Sequence, residues 1–439
     1  MRALPLVLPL LVGVAIRLAW VLSGDFEAVS EAGFYHQHAS EIVAGRGFVH
    51  PQTGEPSAFL PPGYPLLLAP FYWIFGPSTQ VAGVLNGLLA GVAIAGTYVL
   101  ARQCCGARAA VVAAWMLALF PSQVLYASAP HSDHLFAALV PWLLAAGLSR
   151  PRHQRLRRWA PVGTGTVIGV ATLTAAIGVL LLPALAAAWA FSLPRREVFR
   201  RMALSAIAVA LVLAPWAVRN YVQLETFVPV STNGGPNLWI GNNEHAGHGW
   251  MPWAESDWTY PEDEPATDRA LRDEALGYLA REPLDTLARW PGKLRHTFVQ
   301  DYNYVEHFSL APRVQEMPPG MNGSLLHWLA DRYYFAVLLL AAGGALAASS
   351  RRGVAPLAPA ALALALPTVL FFGLDRYHVP LLPIVVVPAA AALVTVAQVA
   401  MGQARVWQPV PGLARNQLRP PEARGVELIP QEGAANIRS

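Results

Sequence analysis

The chain has 439 residues, of which 54% are hydrophobic and only 13% are charged, whereas an average soluble domain carries about 25% charged residues. The mean hydropathy is +0.38, and the apolar residues come in long runs that only bilayer-spanning helices explain. The formal charge is +4, and 30 of the 31 basic residues are arginine, most of them in short loops. This distribution is typical of membrane orientation, so we expect an integral membrane protein in contact with membrane lipids and no nucleic-acid partner.

The apolar runs predict an all-α polytopic helix bundle with about ten spans. The first run starts like a signal peptide, but it contains Arg17 and lacks a small-x-small cleavage motif, so we expect a retained span. The fifth and sixth spans form a broken pair, interrupted around Thr172–Gly178. The predicted spans lie near Leu4–Leu22, Val81–Leu100, Ala109–Tyr126, Leu135–Leu148, the pair between Pro161 and Phe191, Ala203–Val218, Leu329–Ala348, Val354–Phe372 and Pro380–Ala400.

Arginines in the short loops orient the bundle. They all fall on one side, which the positive-inside rule makes cytoplasmic, together with both termini. These arginines are Arg102, Arg108, Arg150, Arg152, Arg155, Arg157, Arg158, Arg195, Arg196, Arg200, Arg201, Arg351 and Arg352. The domain prediction follows: residues 1–218 form a membrane module with a first outer loop at 23–80, residues 219–328 a large, mixed outer-side loop domain, residues 329–400 the last membrane helices, and residues 401–439 a cytoplasmic tail.

Within the large outer loop, apolar residues recur at near-helical spacing over Thr267–Phe298. The pattern predicts one or two amphipathic helices, broken at Pro283 and Pro291. Such helices lie on the membrane surface or pack beneath a cap.

Two outer segments carry groups suited to acid–base chemistry. Glu31 lies just outside the first span, one helical turn before Tyr35, where a carboxylate can accept a proton from an attacking hydroxyl or amine. A helix-capping or merely solvated glutamate is the simpler alternative. Asp133 lies between His131 and His134 at the outer start of the fourth span, where ionisable groups are functional candidates.

Two other interpretations of the segment around Asp133 stay open. Ser132 or Asp133 could cap the fourth span. A metal site built from His131, Asp133 and His134, with His36 or His38, is conceivable, although the spacing is not diagnostic.

Three cations lie near the outer ends of spans: Arg219, Arg376 and Lys293, which is the only lysine. Basic groups at this depth can pair with a lipid phosphate, and the planar fork of arginine suits two phosphate oxygens. Snorkelling to the lipid headgroups fits each of them equally well.

These segments resemble the GT-C superfamily of membrane glycosyltransferases, and within it family 39 with the bacterial relatives of aminoarabinose transferases and protein O-mannosyltransferases. The resemblance runs along most of residues 1–400 and rests on the order of several short motifs. The motifs are Glu31–Tyr35 with Gly45–Phe48, Pro61–Pro65, Pro215-Trp216 with Arg219–Tyr221, Ser231–Gly235, Gly241–Asn243 and Arg376–Pro380.

The resemblance implies a role for each matched position. Glu31 takes the place of the family's acidic general base, usually an aspartate, and Asp133 that of a second acid before the fourth span. Arg219 and Arg376 match basic positions facing the lipid phosphate, and Lys293 is a weaker match. Within the same motifs we assign substrate binding to Tyr35, Tyr64, Asn233, Asn242, Asn243, Tyr377 and His378.

The chain also departs from the family pattern. Glu31 is one methylene longer than aspartate, which moves the carboxylate by about 1 Å. Leu60 stands where relatives often have arginine, and Thr172–Ala176 replaces the usual Arg-Pro. The loss of two cations indicates a different donor or acceptor, or reduced activity.

The expected function is an inverting glycosyltransferase in the plasma (inner) membrane, with its active site facing the periplasm or exterior. Its expected partners are a polyprenyl-phosphate sugar donor and a glycan, lipid or protein acceptor. No cofactor is required in this hypothesis, although a divalent metal is possible. The alternatives are a transporter or lipid flippase, and an inactive scaffold that keeps the fold.

Overall fold

The computed structural model describes residues 4–149, 154–251, 263–301, 305, 324–347 and 353–402. Arg150, Arg152, Arg351, Arg352 and the predicted tail from residue 403 onward lie outside the described residues.

Long helices dominate the described residues. Short 3-10 segments lie at Tyr126–Ser128, Ala176–Leu180, Ala355–Leu357 and Asp375–Leu381. The described β-pairing is limited to two isolated bridges, Val49 with Pro56 and Gly249 with Gly373. The helices are α1 Leu4–Leu22, α2 Ser30–Val43, α3 Gly63–Phe75, α4 Thr79–Cys105, α5 Ala107–Ala118, α6 Pro121–Leu125, α7 Ser132–Leu148, α8 Gln154–Thr174, α9 Leu181–Ala190, α10 Arg195–Leu224, α11 Gly234–Gly241, α12 Glu264–Arg281, α13 Pro283–Phe298, α14 Ser324–Leu346, α15 Ala358–Leu370 and α16 Leu382–Ala400.

Five of the described helical segments are long and apolar enough to cross a bilayer, and a bent pair formed by α5 and the segment after it makes up to six. Shorter apolar helices, among them α7 and α9, accompany them. Large apolar side chains such as Leu211 and Leu339 are about 70% exposed on these helices (69% and 75%), as lipid-facing positions require. The chain is therefore an integral membrane protein, while the count of ten spans stays a prediction.

Small residues hold α1 against α4. Gly83, Gly87 and Gly91 recur every fourth residue on α4, and a Cβ placed at each would lie 2.6 Å from Val21, 3.2 Å from Leu18 and 2.8 Å from Val14, respectively. Such a stripe lets two helix backbones approach closely, which drives helix association in a membrane. The helix α4 also packs on α5 and α7, so it is the centre of the bundle.

Arg17 is buried within α1 and caps the end of α5, where the predicted third span is interrupted before Pro121. Its guanidinium donates to the Ala118 carbonyl at 2.8 Å and the Leu117 carbonyl at 3.1 Å, where α5 ends, and to Gly13 in its own helix at 2.8 Å. The Ala118 carbonyl is in the last turn of α5, where a helix leaves carbonyls without an intrahelical donor. The single charge deep in the first span thus serves as a helix cap, and α5 and α6 meet at a 55° bend instead of forming one helix.

Three predicted helix breaks, two of them at prolines, have different outcomes. The interruption predicted around Thr172–Gly178 is confirmed, because α8 ends at Thr174 and a 3-10 segment precedes α9. The break predicted at Pro283 is confirmed too, but the break at Pro291 is wrong, since α13 continues through it to Phe298. Pro291 follows the first turns of the helix, and packing against the bundle outweighs its lost hydrogen bond.

The helix α13 has an unusual polarity. Its buried residues are Thr286, Lys293 and Thr297, whereas Leu284 is 79% exposed and Leu287 is 50% exposed. The predicted amphipathic helix therefore turns its polar stripe toward the protein and its apolar stripe outward, as a helix does beside the lipid surface.

Glu264 and Arg219 fasten the first outer loop to the large outer loop. The Glu264 carboxylate accepts from the backbone N–H of Ala58 at 2.8 Å and from the Thr232 hydroxyl at 3.1 Å. Arg219 donates to the carbonyls of Phe48 and Ser57, the latter at 2.6 Å. These contacts make one outer layer from the two loops, above the membrane helices.

Candidate active site

Three sequence-distant elements bring the candidate catalytic groups together. Glu31 is in the first turn of α2, Asp133 is in the first turn of α7, and Arg376 lies in the 3-10 segment before α16. Ser30, immediately before Glu31, has a left-handed backbone with φ of 55°, which is uncommon for a residue other than glycine. The turn at Ser30 directs the chain into α2 with Glu31 facing the bundle.

The four side chains of Glu31, His131, Asp133 and Arg376 form what we call the carboxylate cluster. Arg376 Nη1 lies 2.9 Å from Glu31 Oε2, and Arg376 Nε lies 3.7 Å from Asp133 Oδ2. His131 Nε2 is 3.5 Å from Glu31 Oε1, and His131 Nδ1 is 3.3 Å from Asp133 Oδ2. A further close contact joins Arg376 Nη1 to His131 Nε2. Thus one guanidinium and one imidazole lie between two carboxylates.

His131 also begins α7. Its Nδ1 accepts the backbone N–H of Asp133 at 3.2 Å, so His131 is the N-cap. The expectation that Ser132 or Asp133 caps this helix is therefore wrong. Ser132 instead donates from its hydroxyl to the Tyr35 oxygen at 3.0 Å.

Glu31 is the most accessible member of the cluster. Its side chain is 25% exposed, against 14% for Asp133, 10% for Arg376 and 2% for His131. Burial raises the pKa of Glu31, but the adjacent Arg376 and His131 outweigh that effect and hold the pKa well below its ordinary value. Glu31 is therefore ionised at neutral pH and remains within reach of a molecule entering from outside.

Aromatic rings form the wall behind the carboxylate cluster. The Tyr35 ring meets the His131 ring edge-on at a centroid distance of 5.0 Å, and Tyr64 lies edge-on behind Tyr35 at 5.8 Å. Tyr126 donates to Asp133 Oδ2 at 3.2 Å. The Tyr64 hydroxyl donates to Asn86 at 2.8 Å. Of these rings, Tyr35 and Tyr126 touch the cluster directly, and Tyr64 supports them.

A buried acid–base pair lies beneath Arg376. His378 Nε2 is 2.5 Å from Asp301 Oδ1, and His378 Nδ1 donates to the Thr297 carbonyl at 2.9 Å. Asp301 is fully buried and the His378 side chain is 1% exposed. This pair fixes the 3-10 segment, two residues beyond Arg376, to the end of α13.

Arg219 and Lys293 lie apart from the carboxylate cluster. Arg219 is engaged with the first outer loop and stacks over the Trp216 ring at 5.0 Å. Lys293 is buried, and its Nζ lies 3.3 Å from both Asn242 Oδ1 and the Val369 carbonyl. The structure thus brings Arg376, and neither of the other two cations, to Glu31 and Asp133.

The predicted substrate-binding residues divide in the same way. Tyr35, Tyr64, Tyr377 and His378 lie in or next to the elements of the cluster, and Tyr377 packs on Phe372. Three asparagines lie in the outer layer instead. Asn233 accepts from Ser231 at 2.8 Å, Asn242 donates to the Leu370 carbonyl at 2.6 Å, and Asn243 donates to the Trp239 carbonyl at 2.7 Å. These bonds close turns and join α11 to α15.

The geometry does not fit a divalent metal. His134 points away, with Nε2 3.1 Å from the Tyr126 carbonyl, and His131 presents different ring nitrogens to Glu31 and Asp133. A cation already lies against both carboxylates, because the Arg376 guanidinium is 2.9 Å from Glu31 and 3.7 Å from Asp133. Among the described residues, no group of three or more His, Cys, Asp or Glu side chains is arranged to hold a metal ion.

The two segments that depart from the expected motif pattern, Leu60 and Thr172–Ala176, lie close to one helix contact. Leu60 precedes α3 and is buried. A Cβ placed at Gly63, three residues later, would lie 2.7 Å from Thr174 Oγ1 and 2.9 Å from the Leu173 carbonyl. The start of α3 therefore abuts the end of α8, and both departures remove charge from this contact.

Sequence reasoning missed Tyr126 and Asp301. Tyr126 lies in an apolar stretch, and nothing in its spacing marks it. Asp301 is a lone acid directly after an amphipathic helix, in Phe298–Asp301, and that isolation was a usable signal.

Comparison with known proteins gives a family-model match over part of the chain and a set of solved structures with a similar fold. A family model described as dolichyl-phosphate-mannose-protein mannosyltransferase matches residues 60–218. No curated protein is similar enough in sequence to count as a match.

The chain is similar to several solved structures, among them two of an archaeal oligosaccharyltransferase and one of ArnT. The oligosaccharyltransferase of Archaeoglobus fulgidus, in complex with Zn and sulfate, has a TM-score of 0.54 at 17% identity, covering 91% of this chain and 50% of that one. The oligosaccharyltransferase AglB from the same organism, in complex with an inhibitory peptide and a dolichol-phosphate, has a TM-score of 0.53 at 16% identity. The match covers 91% of this chain and 51% of the AglB chain. ArnT from Cupriavidus metallidurans, bound to undecaprenyl phosphate, has a TM-score of 0.46 at 18% identity. The match covers 91% of this chain and 80% of the ArnT chain.

The two likenesses with TM-scores above 0.5 identify the fold. The chain has the GT-C-type fold of these structures, which confirms the predicted all-α, GT-C-type helix bundle, while the count of about ten spans stays a prediction. It spans about half of the length of the archaeal oligosaccharyltransferase chains, 50% and 51%.

Proposed function

We propose that the protein is an inverting glycosyltransferase that moves a sugar from a polyprenyl-phosphate donor to an acceptor hydroxyl or amine at the outer face of the membrane. The carboxylate cluster carries this proposal, because it places an accessible ionised acid beside a cation at the start of a membrane-spanning segment. The matched family model names a dolichyl-phosphate mannose enzyme, and AglB was solved with a dolichol-phosphate. Both support a lipid-phosphate donor here.

In the proposed reaction the acceptor oxygen or nitrogen forms a bond to the anomeric carbon. The bond from that carbon to the phosphate oxygen breaks, and the phosphate leaves with the electron pair. Glu31 takes the proton of the acceptor. Arg376 stabilises the charge that develops on the departing phosphate. Asp133 and His131 hold Arg376 in place.

The contact of Glu31 with Arg376 imposes an order on this reaction. A carboxylate with a lowered pKa is a weak proton acceptor. When the donor phosphate pairs with Arg376, Glu31 loses part of its stabilising partner, and its basicity rises. Donor binding therefore prepares the base for the acceptor.

The site accounts for a lipid substrate meeting a polar acceptor. Arg376 lies at the start of the segment that leads into α16, while the outer layer of α11, α12 and α13 covers the polar side. The outward apolar stripe of α13 is suited to the lipid surface. We assign the plasma (inner) membrane and an active site on the periplasmic or exterior side.

The rival functions make different predictions. A transporter or flippase requires charge along a path through the bundle, whereas Arg17 is already engaged as a helix cap. An inactive scaffold would keep the carboxylate cluster only as a structural ion pair.

A transfer assay with purified membranes separates these functions. We expect wild-type membranes to move label from a polyprenyl-phosphate sugar to acceptors, and Glu31→Gln to reduce the rate by about 10²–10⁴-fold, the usual contribution of a general base. The matched control is Glu27→Gln, four residues earlier in the non-helical segment before α2 and exposed, which is expected to keep the wild-type rate. Equal transfer by Glu31→Gln and wild type would refute the catalytic assignment.

A further inference from the structure

The carboxylate cluster contains two acids from different elements, close enough to share one cation. Glu31 is held by α2 and Asp133 by α7. Both contact the same guanidinium, Glu31 at 2.9 Å and Asp133 at 3.7 Å. Two carboxylates that share a site repel each other unless a positive charge lies between them.

Proteins supply that charge in one of two ways, with a bound metal ion or with a basic side chain. A divalent ion prefers carboxylate and imidazole ligands that point at one centre. Here His131 Nδ1 lies 3.3 Å from Asp133 Oδ2 and His131 Nε2 lies 3.5 Å from Glu31 Oε1, so the two ring nitrogens point at different acids and not at one centre. The central position itself is taken by the guanidinium of Arg376, which also contacts His131 Nε2.

The surroundings fix Arg376 there. Its side chain is 10% exposed, and its backbone N–H donates to Asp375 Oδ1 at 3.0 Å. Two residues later, His378 is clamped by Asp301 and Thr297. A guanidinium placed by this many contacts is a fixed part of the site and not a flexible surface charge.

We propose that Arg376 is the built-in counter-cation of the carboxylate cluster, in the place that a divalent metal ion would otherwise take between Glu31 and Asp133. The cluster is then a metal-independent site whose positive charge is covalently part of the chain. This inference deepens the proposed function, because the same guanidinium faces the donor phosphate. A solved oligosaccharyltransferase with a similar fold is in complex with Zn, so the presence or absence of a metal ion in this chain is worth measuring.

Thermal unfolding of the purified full-length protein tests the electrostatic role without measuring transfer. In the wild-type background, Glu31→Gln removes an ion pair and lowers Tm. In an Arg376→Met background the two acids repel each other, so Glu31→Gln relieves that repulsion and raises Tm. We expect shifts of opposite sign, each of about 2 °C or more. The same sign in both backgrounds would overturn the proposal.

Binding of Mn²⁺, followed by electron paramagnetic resonance, tests the place of the metal. We expect no Mn²⁺ binding at the carboxylate cluster, so the fraction of free Mn²⁺ should be the same with the wild-type protein as with a Glu31→Gln, Asp133→Asn double variant. One equivalent bound by wild type and lost in the double variant would overturn the proposal, even if Arg376→Met does not fold. Neither measurement depends on sugar transfer, so a result that contradicts the role of Arg376 as counter-cation can be told apart from a result that contradicts the proposed transferase function.

Discussion

The buried pair of Asp301 and His378 offers a quantitative test of how the site is held. His378 Nδ1 faces the Thr297 carbonyl, which only accepts, so that nitrogen carries a proton. The other nitrogen lies 2.5 Å from Asp301 Oδ1, and one further proton is shared in that contact. With both side chains buried, the pair is a charge-assisted hydrogen bond without competing water.

Two substitutions at Asp301 are expected to differ in size. Asp301→Asn keeps the shape and can donate from its amide to a neutral His378, so a neutral bond replaces a charge-assisted one at a cost of about 1–2 kcal/mol. Asp301→Ala leaves His378 without its buried partner, at a cost of roughly 3–5 kcal/mol. The alanine variant should also lower sugar transfer beyond its unfolded fraction, because Arg376 lies two residues before His378.

The assay is thermal unfolding in detergent, followed by tryptophan fluorescence. The matched control is Asp273→Asn, whose side chain is 74% exposed and which should leave Tm unchanged. Equal shifts for the two Asp301 variants, or shifts no larger than that of the control, would refute the assigned pair.

Two further predictions concern the cations outside the cluster. Burial, and after it the nearby Arg289, lowers the pKa of Lys293 to about 8 from its ordinary value of 10.5. Between these two pH values the unfolded chain binds more protons at Lys293 than the folded chain does, so the stability of the fold rises with pH. Lys293→Met should abolish this rise when Tm is measured as a function of pH. Arg219→Gln removes the hydrogen bonds from Arg219 to the Ser57 and Phe48 carbonyls, so it should lower the free energy of unfolding by about 2 kcal/mol and leave the KM for the sugar donor unchanged. A raised KM for the sugar donor with an unchanged Tm would instead support the phosphate-binding role predicted from sequence.

The helices were largely predictable because lipid imposes a simple rule. A span must be a long apolar helix, and α1 coincides with the predicted Leu4–Leu22. The bend after α5 could have been predicted from Pro121, which begins α6 and disfavours a helical residue before it. The capping of α5 by Arg17, about 100 residues earlier in the chain, could not. Pro291 was misjudged because a local helix penalty was given more weight than tertiary packing.

The candidate site was predictable only in part. Glu31, Asp133 and Arg376 stood out because charge is rare at the ends of apolar spans, and the fold brings all three together. Arg219 shows the same pattern in sequence but fastens two loops. A charge near a span indicates a role, but only its contacts distinguish a binding role from a structural one.

The most direct test of the central claim separates donor binding from transfer in Glu31→Gln. In this variant Arg376 keeps its position while the proton acceptor is lost, so stabilisation of the protein by a polyprenyl phosphate should equal or exceed that of wild type. Single-turnover transfer from the polyprenyl-phosphate sugar should fall by about 10²-fold or more. Transfer at the wild-type rate, or loss of donor binding together with transfer, would contradict the role of Glu31 as the base.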